Sequence, residues 1–384
     1  MVPVSGSGIV VIFHEWFMNL VYFSPVSWND FEQRPHKFVK WYHEKYKADV
    51  LWVQPYPTRL PLMKDFYRLK EQRGLRQSVN ASWLKTVTAP ALPIEPLYGS
   101  SVINGFFWKK TYESVDAFIR NGECCIGVGK PSALAIRLLR KYSALFSFYD
   151  CMDNFPAFYQ GVSRRSMERR EKVLANLVNK IMVSSSSLRP KFDTHINDVS
   201  LVLNACDVDM LPEVEDLSRS ESVILGYVGM MNDWFDWSLV VALAKTDPSV
   251  VIRLIGPVRT PYQGVLPRNV EVLPACDHAS ALKAMEDFSI GIIPFKVNEL
   301  TASVDPIKYY EYRALGLPVL STGFGEMAYR QKEEGVFLVD ESSDLQASVR
   351  VASTYVLDSN DVKNFRCQNS WSGRFDSSDI FPGD

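Results

Sequence analysis

Short apolar runs alternate with longer amphipathic or charged stretches along the first half of the chain. The runs predict buried strands, and apolar residues at helical spacing predict helices between them. Strands separated by helices of about ten to fifteen residues indicate βαβ units and a parallel sheet. The predicted strands are 8–13, 49–54, 125–128, 144–149, 181–184 and 200–203, and the predicted helices are 132–142 and 167–179.

The same pattern restarts after a polar stretch at 213–221, which we predict to be a domain boundary. We expect an α/β fold with two Rossmann-like domains, at 1–212 and 222–358, followed by a last segment at 359–384. Ligands of such folds bind at the carboxyl ends of the strands, here in the cleft between the domains. The segments of the second domain are 223–229, 239–244, 250–255, 270–273, 279–285 and 290–294, a helix at 306–315 and a strand at 318–321.

Composition excludes several classes of protein. The 384 residues are 47% hydrophobic and 22% charged, which suits two globular domains, and the net charge of -2 provides no field for nucleic acid. No apolar run reaches about 18 residues, and no basic segment precedes an apolar run at the N-terminus. Neither the six cysteines nor the five histidines show the spacing of a metal site. We therefore expect a cytoplasmic protein, at most peripheral on the membrane, that binds no nucleic acid and no metal.

The segment 301–322, TASVDPIKYYEYRALGLPVLST, predicts a short helix with defined ends. Asp305 is the predicted N-cap, Pro306 the first helical position, and Ser303 can cap from the entering loop. Gly316 ends the helix before the next strand. The free N–H groups of such an N-terminus suit a diphosphate.

Lys308 and Glu311 are three residues apart and therefore share one face of this helix. Lys308 can meet a phosphate, and Glu311 can accept hydrogen bonds from both ribose hydroxyls. Spacing alone equally permits an ordinary ion pair on a solvated helix.

This segment is similar to the donor-site motif of GT-B glycosyltransferases in the family 1 and family 4 groups. The motif reads Pro-x-Lys-x-x-Glu-Tyr-x-Ala-x-Gly-x-Pro-Val, and the positions that fit it are Pro306, Lys308, Glu311, Tyr312, Ala314, Gly316, Pro318 and Val319. Residues 224–231, ILGYVGMM, resemble the first strand and glycine loop of the donor domain, and 273–277 match the place where the base is seated. The resemblance covers the second domain closely and the first loosely. The donor-binding residues that it implies are Gly229, Met230, Met231, Pro274, Ser303, Pro306, Ile307, Lys308 and Glu311.

One departure from the motif concerns stereochemistry. Typical retaining enzymes carry a glutamate seven residues before the ribose glutamate, where this chain has Val304, and the nearest acid upstream is Glu299. The Asp-Pro-Ile-Lys variant looks more like the teichuronic-acid and xanthan-type glucuronosyltransferase branch. The resemblance therefore leaves retention or inversion of the anomeric centre open.

On the acceptor side, 148–158 ends a predicted strand with Asp150 and Asp153. A carboxylate where a strand opens into a cleft can act as a general base towards an acceptor hydroxyl. We predict Asp153 as the base, since Asp150 follows the strand directly and can brace the loop. The alternative is that both carboxylates serve as turn and cap residues. Further acceptor-side candidates are His14, Arg34 and His36.

Two basic stretches offer a membrane contact. Residues 63–77 carry five basic side chains beside aromatic ones, and 164–170 carry four arginines. Such stretches can lie against anionic headgroups and guide a polyprenyl-diphosphate-linked acceptor. Alternatively, they form solvated helix faces.

These features predict an enzyme that moves a sugar from a nucleoside-diphosphate donor, most simply a UDP-sugar, to a lipid-linked or oligosaccharide acceptor in cell-envelope polysaccharide synthesis. The resemblance implies no metal or other cofactor, and the Asp207-Val208-Asp209 sequence is interpreted as structural. A nucleotide-sugar 2-epimerase and a relative without catalytic activity are the alternatives. An NAD-dependent oxidoreductase is disfavoured because no GxGxxG follows the first predicted strand.

Overall fold

The computed structural model describes residues 18–30, 32–61, 81–193, 198–213 and 223–381. The first sheet has seven parallel strands in the order β3-β2-β1-β4-β5-β6-β7. Its strands are β1 Asn19–Phe23, β2 Val50–Val53, β3 Leu84–Val87, β4 Cys124–Val128, β5 Ser147–Cys151, β6 Lys180–Val183 and β7 Asp198–Leu201. The helices of this part are α1 Arg34–Tyr46, α2 Ser100–Phe107, α3 Lys109–Arg120, α4 Ala133–Lys141 and α5 Gly161–Ala175.

The second sheet has six parallel strands in the order β10-β9-β8-β11-β12-β13. Its strands are β8 Ile224–Val228, β9 Val251–Ile255, β10 Val270–Leu273, β11 Ile290–Ile293, β12 Val319–Thr322 and β13 Val336–Val339. Its helices are α6 Trp237–Thr246, α7 His278–Glu286, α8 Ile307–Ala314 and α9 Leu345–Thr354, and the chain continues with α10 Ser359–Gln368 and α11 Trp371–Asp376. The predicted α/β architecture with parallel sheets is confirmed.

Each sheet is covered on both faces, which explains why its strands read as continuous apolar runs. In β1, Val21 and Phe23 belong to one core cluster while Leu20 and Tyr22 belong to the cluster on the opposite face. This alternation follows from the two-residue period of a strand. The second sheet is built in the same way, with separate clusters on its two faces.

An inner strand of the first sheet, Asn19–Phe23, is absent from the sequence prediction, which places the first strand at 8–13. Residues 8–13 lie outside the described residues, whereas β1 pairs with both β2 and β4. Other boundaries also shift. The helix predicted at 167–179 runs over Gly161–Ala175, and the strand predicted at 144–149 runs over Ser147–Cys151.

The C-terminal helix α11 lies against α1 of the first sheet. The rings of Phe375 and Phe38 are 5.2 Å apart, and Trp41 Nε1 donates to Asp376 Oδ1 at 3.1 Å. The chain therefore returns to the first domain after completing the second sheet. A boundary at 213–221 stays a prediction, since residues 214–222 are outside the described ranges.

No helix within the described ranges is long and apolar enough to cross a bilayer.

Candidate functional site: a cleft between the two sheets

A cleft of about 500 Å³ lies where the carboxyl ends of the second sheet meet the first domain. The segments after β8, β9 and β10 line one side, and the residues before α1 line the other. Parallel sheets place their ligand sites at this edge. The polar and charged lining residues are Glu32, Gln33, Asp207, His278 and Lys308, beside Gly229, Met230, Gly256, Pro257, Ala275 and Cys276.

Two glycine loops touch each other on the floor of the cleft. The Gly229 N–H donates to the Ile255 carbonyl at 2.9 Å. A Cβ at Gly256 would lie 2.1 Å from the Gly229 carbonyl oxygen, and Gly256 has a φ of +141°. Only glycine fits there, so the backbone itself forms this wall. Gly229 was predicted as a site residue, whereas Gly256, which directly follows the predicted segment 250–255, was not.

Helix α8 points its N-terminus towards the cleft, but its start differs from the prediction. Pro306 is the N-cap with a ψ of 121°, and the helix begins at Ile307. No side chain among the described residues caps it, so the assignment of Asp305 as N-cap is wrong, and Ser303 does not cap either. The Tyr309 N–H donates to the Pro306 carbonyl at 3.1 Å, so the N–H groups of Ile307 and Lys308 are those left for another acceptor.

Asp305 is instead buried at the junction of the two domains. Its carboxylate accepts from the Asn204 N–H at 2.7 Å, from the Tyr310 hydroxyl at 2.9 Å and from Arg330 Nη2 at 2.8 Å. These three donors hold the carboxylate in the domain junction, and it makes no bond to the N–H groups at the start of α8. These bonds fix the loop that leads into α8.

Lys308 and Glu311 are paired as their spacing predicted. Lys308 Nζ lies 2.5 Å from Glu311 Oε2, with Glu311 almost buried and Lys308 partly exposed on the cleft. Lys308 lies in the first turn of the helix and Glu311 one turn further on. Lys308 therefore presents a cation to the cleft, with the nearly buried Glu311 carboxylate behind it.

Of the other predicted donor-site residues, some line the cleft and others lie in the cores or on the surface. Met230 lines the cleft, but the Met231 side chain is fully buried in the core beside Tyr227 and Phe235. Ile307 packs against the core cluster of the first domain. Pro274 is exposed just beyond the end of β10.

Arg34 and Asp150 form a buried ion pair in the first domain. Arg34 Nε lies 3.0 Å from Asp150 Oδ1, and both side chains are under 5% exposed. Arg34 Nη1 also donates to the Val202 carbonyl at 2.7 Å. This burial favours a structural role over contact with an acceptor.

Asp153, in the turn after β5, is only partly exposed. Desolvation raises the pKa of its carboxyl to about 7, the neighbouring Asp150 adds to the rise, and Arg34 opposes it. No described group donates a hydrogen bond to this carboxylate. A carboxylate with such a pKa can accept a proton near neutral pH.

The two histidine candidates differ. His36 is buried in the capping box of α1, where Nδ1 accepts from the Gln33 N–H at 3.2 Å, and burial lowers its pKa from the ordinary value. It therefore serves the helix start. His14 lies outside the described residues.

The serines that follow β6 connect the two domains, a role that the sequence did not indicate. Ser185 Oγ donates to the Ser303 carbonyl at 3.0 Å, and Ser187 Oγ donates to the Ala302 carbonyl at 2.8 Å. Ser186 donates to the buried Glu326 carboxylate from both N–H and Oγ, at 2.8 Å each. A run of serines is typical of any polar loop, so no sequence signal distinguished this contact.

Asp207, the first acid of the Asp-Val-Asp sequence, lies between the domains as well. Its carboxylate is 2.9 Å from Lys37 Nζ and 3.4 Å from His278 Nε2. Burial alone would raise its pKa, but the proximity of His278 and Lys37 outweighs burial, and the pKa is lowered. His278 was not predicted as a site residue.

Comparisons with known proteins agree on the architecture. No protein-family model matches the chain. Sucrose-phosphate synthase of Thermosynechococcus elongatus superposes with a TM-score of 0.62 over 93% of this chain and 96% of that structure, at 13% identity. HepE of Anabaena, solved with UDP and glucose, superposes with a TM-score of 0.55 over 94% and 96%, at 14% identity. The chain has the GT-B fold.

A curated relative supports the more specific resemblance. TuaH of Bacillus subtilis, whose name assigns it provisionally to teichuronic acid biosynthesis as a glycosyltransferase, is 26% identical over 236 residues. The match covers 55% of this chain and 59% of TuaH, so the chain spans less than two thirds of that relative. The predicted likeness to GT-B enzymes of the teichuronic-acid branch is confirmed.

Proposed function

We propose that this GT-B chain is a glycosyltransferase that uses a UDP-sugar as donor. The observation that carries the proposal is the Lys308–Glu311 pair in the first turns of α8, where Lys308 lines the interdomain cleft and no side chain among the described residues caps the helix. HepE, which shares the fold, was solved with UDP and glucose.

The diphosphate of the donor binds at the start of α8. Its charge is met by the Lys308 side chain and by the main-chain N–H groups of Ile307 and Lys308. The glycine loops at Gly229 and Gly256 let the backbone approach the phosphates or the sugar. The charge that develops on the leaving diphosphate is thus met by groups of this chain.

Glu311 holds the ribose. Its nearly buried carboxylate gives up Lys308 to the diphosphate and accepts from the two ribose hydroxyls instead.

Asp153 acts as the base. Its carboxylate takes the proton of an acceptor hydroxyl, the oxygen bonds to the anomeric carbon, and the bond to the diphosphate breaks. The pKa of about 7 supports this role. Asp150 and Arg34 tune that pKa from inside the domain.

The acceptor is a polyprenyl-diphosphate-linked or oligosaccharide chain of cell-surface polysaccharide synthesis, handled in the cytoplasm. The support for this part is the teichuronic acid assignment in the name of TuaH.

The first experiment is calorimetric titration with UDP of the wild type, Lys308→Ala and Glu311→Ala, with the exposed Lys332→Ala as a matched control. We expect each site variant to lose at least about tenfold in affinity, equal to about 1.4 kcal/mol, and the control to match the wild type. Wild-type protein that binds none of UDP, GDP, dTDP and ADP contradicts the proposal. A screen of UDP-sugars for UDP release then identifies the donor.

A further inference from the structure

Helix α2, Ser100–Phe107, exposes apolar side chains and buries polar ones, which is the reverse of an ordinary surface helix. Its buried positions include the polar residues Ser100 and Asn104, while Val102, Ile103 and Phe106 are 60%, 46% and 81% exposed. A surface helix of a globular domain normally buries its apolar side. Here three large apolar side chains at i, i+1 and i+4 share the solvent face.

The inner, polar side of α2 is held by specific bonds. Asn104 accepts from the Leu92 N–H at 2.9 Å and donates to the Leu92 carbonyl at 3.1 Å. Ser100 Oγ donates to the Glu95 carbonyl at 3.0 Å. These hydrogen bonds would be lost if the helix rotated its apolar residues inward. They therefore stabilise the orientation in which the apolar side chains face solvent.

The exposed apolar area extends beyond the helix. Leu97 and Tyr98 precede α2 and Phe107 ends it, and all three are exposed. We call Leu97, Tyr98, Val102, Ile103, Phe106 and Phe107 the apolar patch. An apolar patch of this kind on a soluble domain indicates an interaction surface.

The patch lies on the acceptor side of the first domain. Glu95 Oε1 accepts from the Ala133 N–H at 2.9 Å, at the start of the helix that follows the carboxyl end of β4. Arg170 of α5 also reaches Glu95, with Nε 3.1 Å from Oε1. These contacts of Glu95 connect the patch to the edge of the sheet that faces the cleft.

Two exposed lysines adjoin the patch along the chain. Lys109 and Lys110 follow Phe107 after the buried Trp108. Neither lysine has an ion-pair partner among the residues that the structure describes. Both lie just beyond the end of the apolar helix, as in helices that rest on anionic bilayers.

We infer that the apolar patch docks on the surface of a bilayer that contains anionic lipids. The apolar side chains enter the acyl boundary, and the lysines meet the headgroups. A second copy of the chain is a poorer occupant, because it would bring the same unpaired cations against these. The inference goes beyond the donor chemistry proposed above and does not depend on it.

The test is co-sedimentation of the full chain with vesicles of phosphatidylcholine and phosphatidylglycerol in equal parts, and with phosphatidylcholine alone. We expect binding to the anionic vesicles that falls at least tenfold in Ile103→Ser/Phe106→Ser and in Lys109→Glu/Lys110→Glu. The exposed valines of the second domain supply the control, Val265→Ser/Val356→Ser, which keeps wild-type binding.

Three results would overturn the inference. The wild type does not bind anionic vesicles, or the patch variants bind them as well as the wild type does. The third is a wild-type dimer in sedimentation velocity that Ile103→Ser/Phe106→Ser dissociates, with no binding to vesicles. Circular dichroism of every variant shows that it is folded. UDP titration separates this inference from the proposed function, since vesicle binding without UDP binding supports only the former.

Discussion

The Arg34 guanidinium neutralises the Asp150 carboxylate inside the first domain, three residues before the proposed base Asp153. Asp150 raises the pKa of Asp153 and Arg34 lowers it, while desolvation sets the main rise to about 7. Two residues that the sequence suggested as acceptor contacts thus influence the base from a buried position.

Arg34→Met is expected to destabilise the protein, because it leaves the Asp150 carboxylate buried without its cation. Breaking a buried pair in this way costs about 3–5 kcal/mol in the free energy of unfolding. Urea unfolding monitored by circular dichroism measures the loss. The exposed Arg120→Met is the matched control and should change the free energy by less than about 0.5 kcal/mol. A loss as small as that of the control would show that the pair does not stabilise the fold.

Asp153→Asn is expected to lower kcat/KM by about 10²- to 10⁴-fold once a donor and acceptor are known, since the amide cannot take a proton. In the wild type, kcat/KM should rise with pH and level off above about pH 7, where the carboxyl is ionised. UDP affinity should not change, and the exposed Asp193→Asn should behave like the wild type. A pH profile of the wild type that is flat between pH 5 and 9 would argue against Asp153 as the base.

The same carboxyl predicts a pH dependence of stability that needs no assay of activity. Its pKa is raised in the folded protein, so the folded state holds the proton more tightly and Asp153 favours folding less as the pH rises from about 4 through 7. The full linkage value is roughly 4 kcal/mol, which partial exposure of the side chain reduces to about 2 kcal/mol. Asp153→Asn should therefore be more stable than the wild type at pH 8, and the gain should vanish near pH 4. Urea midpoints at both pH values test this, and an equal change at pH 4 and pH 8 would contradict it.

Much of the second domain could be predicted from the sequence because its strands are short and largely apolar, and three of its helices begin at an aspartate N-cap. The Lys308–Glu311 pair was predictable for the same local reason, since a spacing of three fixes a shared helix face. The first domain was harder, because β1 follows other apolar residues and was not singled out as a strand; the strand predicted at 8–13 lies outside the described residues. Predictions for His14 and for residues 63–77 fall outside the described residues.

Long-range contacts explain what the sequence could not provide. Asp305 has the sequence position of an N-cap, but its carboxylate accepts hydrogen bonds from Asn204 and Arg330, which are 101 and 25 residues away along the chain. Ser186 and Glu326 meet across the two domains although neither stands in a recognisable motif. Local pattern determines helix starts only when no distant donor competes.

Glu326→Ala is expected to weaken the contact between the domains, because it removes both acceptors of the Ser186 N–H and hydroxyl. The loss of two charge-assisted bonds should lower the free energy of unfolding by about 2–4 kcal/mol. Small-angle scattering should show a larger radius of gyration than in the wild type. The exposed Glu341→Ala serves as control, and an unchanged radius together with unchanged stability would mean that other contacts hold the domains together.

Gly256→Ala tests the backbone wall of the cleft. The added Cβ would lie 2.1 Å from the Gly229 carbonyl oxygen, and the φ of +141° disfavours any L side chain, so the two loops must separate. We expect UDP affinity to fall by more than tenfold, with a loss of about 1–3 kcal/mol in stability. Gly323→Ala is the matched control, since the nearest atom to its added Cβ is 3.9 Å away. Calorimetric titration of both variants with UDP measures the change in affinity. An affinity of Gly256→Ala equal to that of the wild type would show that the nucleotide does not approach this wall.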